Sequence, residues 1–131
     1  MQTRQWATVV LAVALGTGVG GCGGQPQKPS TGKPQPPAVV RVANNNFADV
    51  TVYVVQSGMR LRLGTVTGLS EEQFTLPRRF ATYAMELYLL ADPVGGSRGY
   101  LSPAVRVRGG EEVDLRLHAI LSMSSVSVWG P

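Results

Sequence analysis

The stretch that decides the fold is Val50–Val66, which reads VTVYVVQSGMRLRLGTV. Val50, Val52 and Val54 occupy every second position of its first half, and Thr51, Tyr53 and Val55 lie between them. Successive side chains of a β-strand point to opposite faces, so this alternation predicts a half-buried strand. Ser57-Gly58 supplies a turn, after which arginine alternates with leucine from Arg60 to Val66. The stretch therefore predicts two strands joined by a turn.

The same period of two recurs along the rest of the chain. Further strands are predicted at Val39–Val42, Gln73–Leu76, Ala84–Ala91, Val105–Arg108 and Val113–His118, and in a serine-rich segment that ends near Val128. Ala84–Ala91 could also form a helix, because alanine, methionine, glutamate and leucine favour helices, but its neighbours favour a strand. Seven or eight short strands, with turn signals about every 8 to 12 residues, predict an all-β fold. The expected architecture is a single small antiparallel β-sandwich, with a small barrel as the alternative.

The N-terminus has the order of a secretory signal peptide. Met1–Gln5 carry one cation, Arg4; Trp6–Leu15 are apolar apart from Thr8; and small residues lead to Cys22. The apolar run is shorter than the roughly 20 residues that a membrane-spanning helix needs. We therefore expect residues 1–21 to be a signal peptide and not a permanent transmembrane segment.

Val19-Gly20-Gly21-Cys22 resembles the lipobox of bacterial lipoproteins, in which an aliphatic residue and two small residues precede a cysteine. The resemblance implies cleavage between Gly21 and Cys22 and acylation of Cys22, for example with palmitate. It also implies an extracytoplasmic protein anchored to a cell membrane by lipid. Gly23 is not the aspartate that retains some lipoproteins in the inner membrane, so the outer membrane is favoured where the cell is Gram-negative. An ordinary secretion signal with a chance cysteine is the alternative.

Residues 23–38, GGQPQKPSTGKPQPPA, contain five prolines, three glycines and no large apolar side chain. Such a segment cannot bury enough surface to offset its ordering entropy, so we expect a disordered linker. In an extended polyproline conformation it would reach roughly 50 Å. The predicted organisation is a signal peptide over residues 1–21, a lipidated cysteine with a flexible linker over 22–38, and a β-sandwich domain over 39–131.

Composition excludes several classes of function. Of the net charge of +4, Arg4, Lys28 and Lys33 precede residue 38, whereas the remainder holds nine arginines and eight acids. A nucleic-acid-binding domain concentrates positive charge on its folded part, so we expect no nucleic-acid partner. One cysteine and one histidine exclude an internal disulfide framework, a cysteine-based zinc cluster and any site that needs two histidines.

No residue pattern supports catalysis. His118 is in phase with Asp114 and Arg116 on the predicted solvent face of its strand, and no activated-serine motif accompanies it. Glu71-Glu72 and Glu111-Glu112 are adjacent acids, not carboxylates held across a cleft. We therefore expect no enzyme, no cofactor and no metal site.

Val105–Leu115, VRVRGGEEVDL, resembles the strand, glycine turn and strand of immunoglobulin-like and transthyretin-like sandwiches. By that resemblance the third, sixth and seventh strands lie side by side, and the second and fifth share the other sheet. The first group would present an arginine face for anionic groups, formed by Arg60, Arg62, Arg106, Arg108 and Arg116. The second would present an aromatic face for a protein partner, formed by Tyr53, Val55, Tyr88 and Leu90. The alternatives are an ordinary solvated sheet face for the arginines, and burial under residues 78–83 for the aromatic face.

These patterns predict a non-catalytic binding or assembly module at the cell envelope. The candidate surfaces are the two sheet faces and the loops Gly68–Glu72 and Asp92–Gly99. The alternative is an accessory subunit of an envelope secretion or transport complex, to which small transthyretin-like lipoproteins are similar in plan. An envelope hydrolase is the competing class.

Replacing Cys22 with serine tests the anchor. Two or three acyl chains hold a protein stably to a bilayer, so the Cys22→Ser variant should leave the membrane fraction that retains the wild-type protein. Fractionation and mass spectrometry of the N-terminal peptide are the measurements. An unmodified Cys22 in the wild-type protein, or a variant that stays membrane-bound, would contradict the assignment.

Overall fold

The computed structural model describes residues 33–81, 85–96 and 98–131. The predicted signal peptide, Cys22 and most of the predicted linker lie outside these ranges. Within them, no helix has the length and apolar character needed to cross a membrane.

The described residues form eight β-strands and two single turns of 3₁₀ helix. The strands are β1 (Ala38–Asn44), β2 (Val50–Gln56), β3 (Met59–Val66), β4 (Ser70–Leu76), β5 (Tyr88–Pro93), β6 (Tyr100–Leu101), β7 (Glu112–Leu117) and β8 (Ser125–Trp129), and the 3₁₀ turns are Arg78–Phe80 and Leu121–Met123. One sheet has the order β4-β1-β7-β8 and the other the order β3-β2-β5-β6. The prediction of a small all-β sandwich is confirmed.

Strand pairing is antiparallel except at one place. β1 pairs with β4 antiparallel and with β7 parallel, so that Val40 lies beside both Phe74 and Val113. In the other sheet, β2 pairs antiparallel with both β3 and β5. β1 is a central strand because it pairs with a strand on each side, and its parallel partner β7 comes from the last third of the domain.

The core lies between the sheets and is built from the predicted alternation. The even-numbered residues of β1 and β2 point inward and are buried, and the odd-numbered residues of β7 complete the layer: Val40, Val42, Val50, Val52, Val54, Val113, Leu115 and Leu117. Burying a valine or leucine side chain stabilises a fold by about 1.5–3 kcal/mol. A β-bulge between Val52 and Tyr53 brings Gly64 into this layer, where the Phe74 ring lies against it. That contact joins β3 of one sheet to β4 of the other.

The segment from Leu87 to Val105 departs from the predicted strands. The predicted strand Ala84–Ala91 is found as Tyr88–Pro93, and residues 82–84 lie outside the described ranges. The predicted strand Val105–Arg108 is wrong, because only Val105 makes a bridge, to Leu87. β6 was not predicted. The Ser102 hydroxyl accepts a hydrogen bond from the Leu89 N–H, and Pro103 has no N–H to donate, so the edge is interrupted at these two residues.

The last residues of the predicted linker pack on the domain. Gln35 and Pro36 lie against Gly109, where an added Cβ would come within 2.8 Å of the Pro36 carbonyl oxygen. The Val39 N–H then donates to the Glu111 carbonyl oxygen at 3.0 Å. Contacts with the sandwich therefore begin before residue 39.

Candidate functional site

The predicted arginine face does not form. β3, which carries Arg60 and Arg62, lies beside β2, whereas Arg116 lies on β7 in the other sheet. The strand adjacency taken from the family resemblance is the source of the error. Ser57 and Gly58 have φ angles of 49° and 78°, and a two-residue turn with two positive φ angles holds β3 antiparallel to β2.

Most of these arginines are paired with acids or hydroxyls. Arg60 lies 3.7 Å from Asp92, Arg106 lies 3.1 Å from Glu86, and Arg116 lies 3.3 Å from Asp114. The Arg62 guanidinium donates to the Thr65 hydroxyl at 2.8 Å, and the Arg108 backbone N–H donates to the Glu111 carboxylate at 2.8 Å. Exposed pairs of this kind contribute about 0–1 kcal/mol each. The arginines therefore match the alternative of a solvated, paired surface.

The four residues of the predicted aromatic face lie on two adjacent strands, β2 and β5. Tyr53 lies opposite Leu90, and Val55 lies opposite Tyr88, on the outer side of the β2–β5 pair. All four side chains are half-buried. The Arg60 guanidinium lies 3.7 Å from the centroid of the Tyr53 ring, within the range of a cation–π contact. Of the five arginines, Arg60 is therefore the one that the structure places against the aromatic face.

A second surface lies at one end of the sandwich, where four loops meet. We call it the loop crown: residues 45–49 after β1, 67–69 after β3, 94–96 with 98–99 after β5, and 118–124 after β7. Residues 45–49 contact the other three loops. The Asn45 N–H donates to the Leu117 carbonyl at 2.9 Å, the Leu69 N–H to the Asn46 carbonyl at 3.0 Å, and the Val94 N–H to the Asp49 carbonyl at 2.8 Å.

Asn44 fixes the base of the crown. Its side chain is buried at the end of β1, and its Nδ2 lies 3.0 Å from the Ala48 carbonyl oxygen, 3.2 Å from that of Val66 and 3.1 Å from that of Thr67. Its Oδ1 accepts from the Asn46 N–H at 3.0 Å. One amide therefore links the loop after β1 to the loop after β3.

Two further side chains fix the crown. Asn46 accepts from the Ala48 N–H at 2.9 Å and donates to the Ala119 carbonyl oxygen at 3.0 Å. Asp49 accepts from the Gly68 N–H at 3.0 Å. Gly68 packs against the backbone of Phe47 with no space for a side chain. The backbone of the crown is thus held by hydrogen bonds and close packing.

The crown presents large apolar side chains to solvent. Their exposed fractions are 81% for Phe47, 64% for Leu69, 61% for Val94, 62% for Ile120 and 68% for Met123. Between the loops lies a cleft of about 540 Å³, lined in part by Asn46, Pro93, Arg98 and Ile120. Exposed apolar groups gathered on one surface, with polar groups at the margin, are typical of an interaction site.

The crown also carries the single histidine of the sequence. His118 is exposed, and its described hydrogen bond is a backbone one, from its N–H to the Ser124 hydroxyl at 3.1 Å. Among the described residues no three histidine, cysteine, aspartate or glutamate side chains gather in a way that could hold a metal ion. Glu71 and Glu72 lie in β4 and not in a loop.

Two of the four crown loops were among the candidate surfaces predicted from the sequence. The predicted loops Gly68–Glu72 and Asp92–Gly99 supply Leu69, Val94 and Arg98, and both lie at the crown. Phe47, Ile120 and Met123 were missed. The available signal was a large apolar side chain inside a polar loop sequence, as in NNNFAD and HAILSMSS.

No family model matches the chain, and no curated protein matches it. Among solved structures, the chain is similar to an NMR structure of a protein from Eubacterium rectale. The TM-score is 0.46 and the sequence identity 12%, over 72% of this chain and 90% of that one.

Replacing Asn44 with alanine should loosen the crown. The change removes partners from three carbonyl oxygens and one N–H, and leaving buried polar groups unpaired costs about 1–3 kcal/mol of unfolding free energy. Asn45→Ala is the matched control, because Asn45 is next to Asn44 in the sequence and its side chain is exposed. Chemical denaturation of both variants measures the difference. Equal stabilities would contradict the structural role of Asn44.

Proposed function

We propose that the protein is a lipid-anchored, extracytoplasmic binding module of the cell envelope that docks a protein partner on the loop crown. The anchor rests on the lipobox resemblance at Val19–Cys22. The docking surface rests on one observation: five large apolar side chains are more than 60% exposed on four loops that hydrogen bonds join together. No catalytic step is part of the proposal.

A protein partner fits the composition of the crown. Aromatic residues, methionine and arginine are enriched at the centres of protein interfaces, and Phe47, Met123 and Arg98 are of these types. The hydrogen bonds of Asn44 and Asn46 hold the loops in place before binding. Association then requires little further ordering of the backbone, which favours affinity.

The position of the crown suits a tethered domain. β1 begins at Ala38, where the predicted linker ends, and reaches the crown at Asn44. Seven residues of strand span roughly 20 Å, so the linker joins the domain at the end opposite the crown.

An accessory subunit of an envelope secretion or transport complex would use the same surface. A subunit would differ from a transiently docking module in the lifetime of the contact, because a subunit stays bound through purification. A hydrolase would need a base beside a nucleophile, and the described contacts of His118 and of the acids give no such pair.

A double substitution, Phe47→Ser with Ile120→Ser, tests the docking surface. Both side chains are largely exposed, so the melting temperature should stay near that of the wild-type protein. Anchoring residues at interface centres contribute about 2 kcal/mol or more each, so a partner bound at the crown should lose at least tenfold in affinity. The measurement is quantitative affinity capture from detergent-solubilised membranes, followed by titration with the purified partner.

Met59→Ser is the matched control, because Met59 is 56% exposed and lies beside the turn between β2 and β3, at the far end of the sandwich. It should bind like the wild-type protein. A partner that binds the wild-type protein and the double variant equally would overturn the crown as the docking surface. Binding that depends on Met59 would place the interface at the other end.

A further inference from the structure

The edges of the two sheets differ in how they resist pairing with another strand. β4 carries Glu71 and Glu72, and β3 carries Arg60 and Arg62. β6 is two residues long and is followed by Ser102-Pro103. Charged, short or proline-limited edges discourage the addition of a further strand. Three of the four edges in the described sheets are protected in these ways.

β8, the fourth edge, lacks each of these features. It reads SVSVW over Ser125–Trp129, with no charged residue and no proline. It pairs with β7 on one side and ends its sheet on the other. An uncharged edge strand presents a row of backbone N–H and C=O groups that another strand can bind.

The side chains of β8 suit extension of the sheet. Val126 and Val128 lie opposite the buried residues Leu115 and Val113, so they face the core. Ser125, Ser127 and Trp129 face outward and are exposed, Trp129 by 62%. A strand added beside β8 would therefore extend both the apolar layer and the outer polar surface.

We propose that two copies of the protein pair through β8, antiparallel, about a two-fold axis at Ser127. The pairing joins two four-stranded sheets into one sheet of eight strands. Ser127 is the central residue of the strand, so an axis there lets all five residues of each copy take part. Ser125 then lies opposite the partner's Trp129, and Val126 opposite the partner's Val128.

An arginine beside the edge favours a second copy of this chain. On β7, Arg116 lies opposite Ser125, and Glu112 lies opposite Trp129. Glu112 is paired with Arg41 of its own copy at 3.5 Å, and Arg116 with Asp114 at 3.3 Å, so the pairing adds no ion pair between the copies. Each Arg116 then shares an outer row with the partner's Trp129, where a guanidinium and an indole ring attract each other. Two-fold pairing also makes the contact closed, because the same edge is used on both copies.

This pairing is independent of the proposed function. It uses a strand edge in place of the crown loops, and it does not require the lipid anchor. The crown of each copy stays available to a partner, so failure of either idea leaves the other standing.

A cysteine placed on the axis tests the pairing. In the Ser127→Cys variant of the full chain, the two copies of residue 127 would lie directly opposite each other, with Cα atoms about 4.5–5.5 Å apart. This distance is within the range of a disulfide. Mild oxidation of intact cells, followed by a non-reducing gel, should show a covalent dimer.

Ser125→Cys is the matched control on the same strand and the same face. Its two copies would lie roughly 13 Å apart, so Ser127→Cys should give at least about tenfold more dimer than Ser125→Cys. The wild-type protein, oxidised in the same way, is the control for any dimer that forms through Cys22. Equal cross-linking of the two variants, or none, would overturn the pairing. Cross-linking of Ser127→Cys to a different protein would also overturn it, because the edge would then serve another chain.

A charge on the axis gives a second readout. Ser127→Lys places two like charges opposite each other across the axis, at an exposed position on the outer face of the strand. The folded domain should therefore persist and the dimer dissociate. Sedimentation of the detergent-solubilised full chain should show a dimer for the wild-type protein and a monomer for Ser127→Lys. A monomeric wild-type protein, or a dimeric Ser127→Lys variant, would contradict the proposal.

Discussion

The buried amide of Asn44 is the contact on which the arrangement of the loops depends. It lies at the end of a central strand, 1% exposed, and bonds backbone groups from the loops after β1 and after β3. Buried carbonyl oxygens need partners, and within the apolar core around them there are few other donors. Asn46 and Asp49 extend the same network towards the loops after β7 and after β3. The ends of both sheets are thereby tied to one short loop.

A fixed loop backbone allows apolar side chains to remain in water at a defined place. Phe47 lies between Asn46 and Ala48, whose N–H groups are hydrogen-bonded, and the Ile120 carbonyl accepts from the Met123 N–H, so both side chains are held facing solvent. The arginines of the sheet faces behave differently. Arg60, for example, contacts both Tyr53 and Asp92, so its charge and its stem are already satisfied within the domain. The crown gathers five of the exposed large apolar side chains of the described residues, and β8 is the edge strand without a charge, a proline or a short length to protect it. These are different kinds of contact, and one molecule can make both.

Local pattern predicted most of the strands and much of the core. The alternation of Val50, Val52 and Val54 placed one valine row inside, and Ser57-Gly58 marked the turn before β3, although the predicted strand adjacency put β2 and β3 in different sheets. Pattern failed where the pairing is irregular. The Leu89 N–H is bonded to the Ser102 hydroxyl in place of a backbone carbonyl, and Pro103 has no N–H to donate. β6 is therefore only two residues long, which is too short for an alternating pattern to predict it. Val105–Val107 alternates like a strand, yet only Val105 finds a partner, because alternation reports burial and not pairing.

The sequence by itself determined most of the period-two elements and the turns between them, because these depend on neighbouring residues. Tertiary structure decided which strands lie side by side. The parallel pairing of β1 with β7 joins residues about seventy positions apart, and no local pattern specifies such a partner. The contact of Arg60 with the aromatic face, the meeting of four loops at one end and the exposed edge at β8 all follow from that strand order. They arise from contacts between distant segments, and those contacts form only when the two sheets close on a common core.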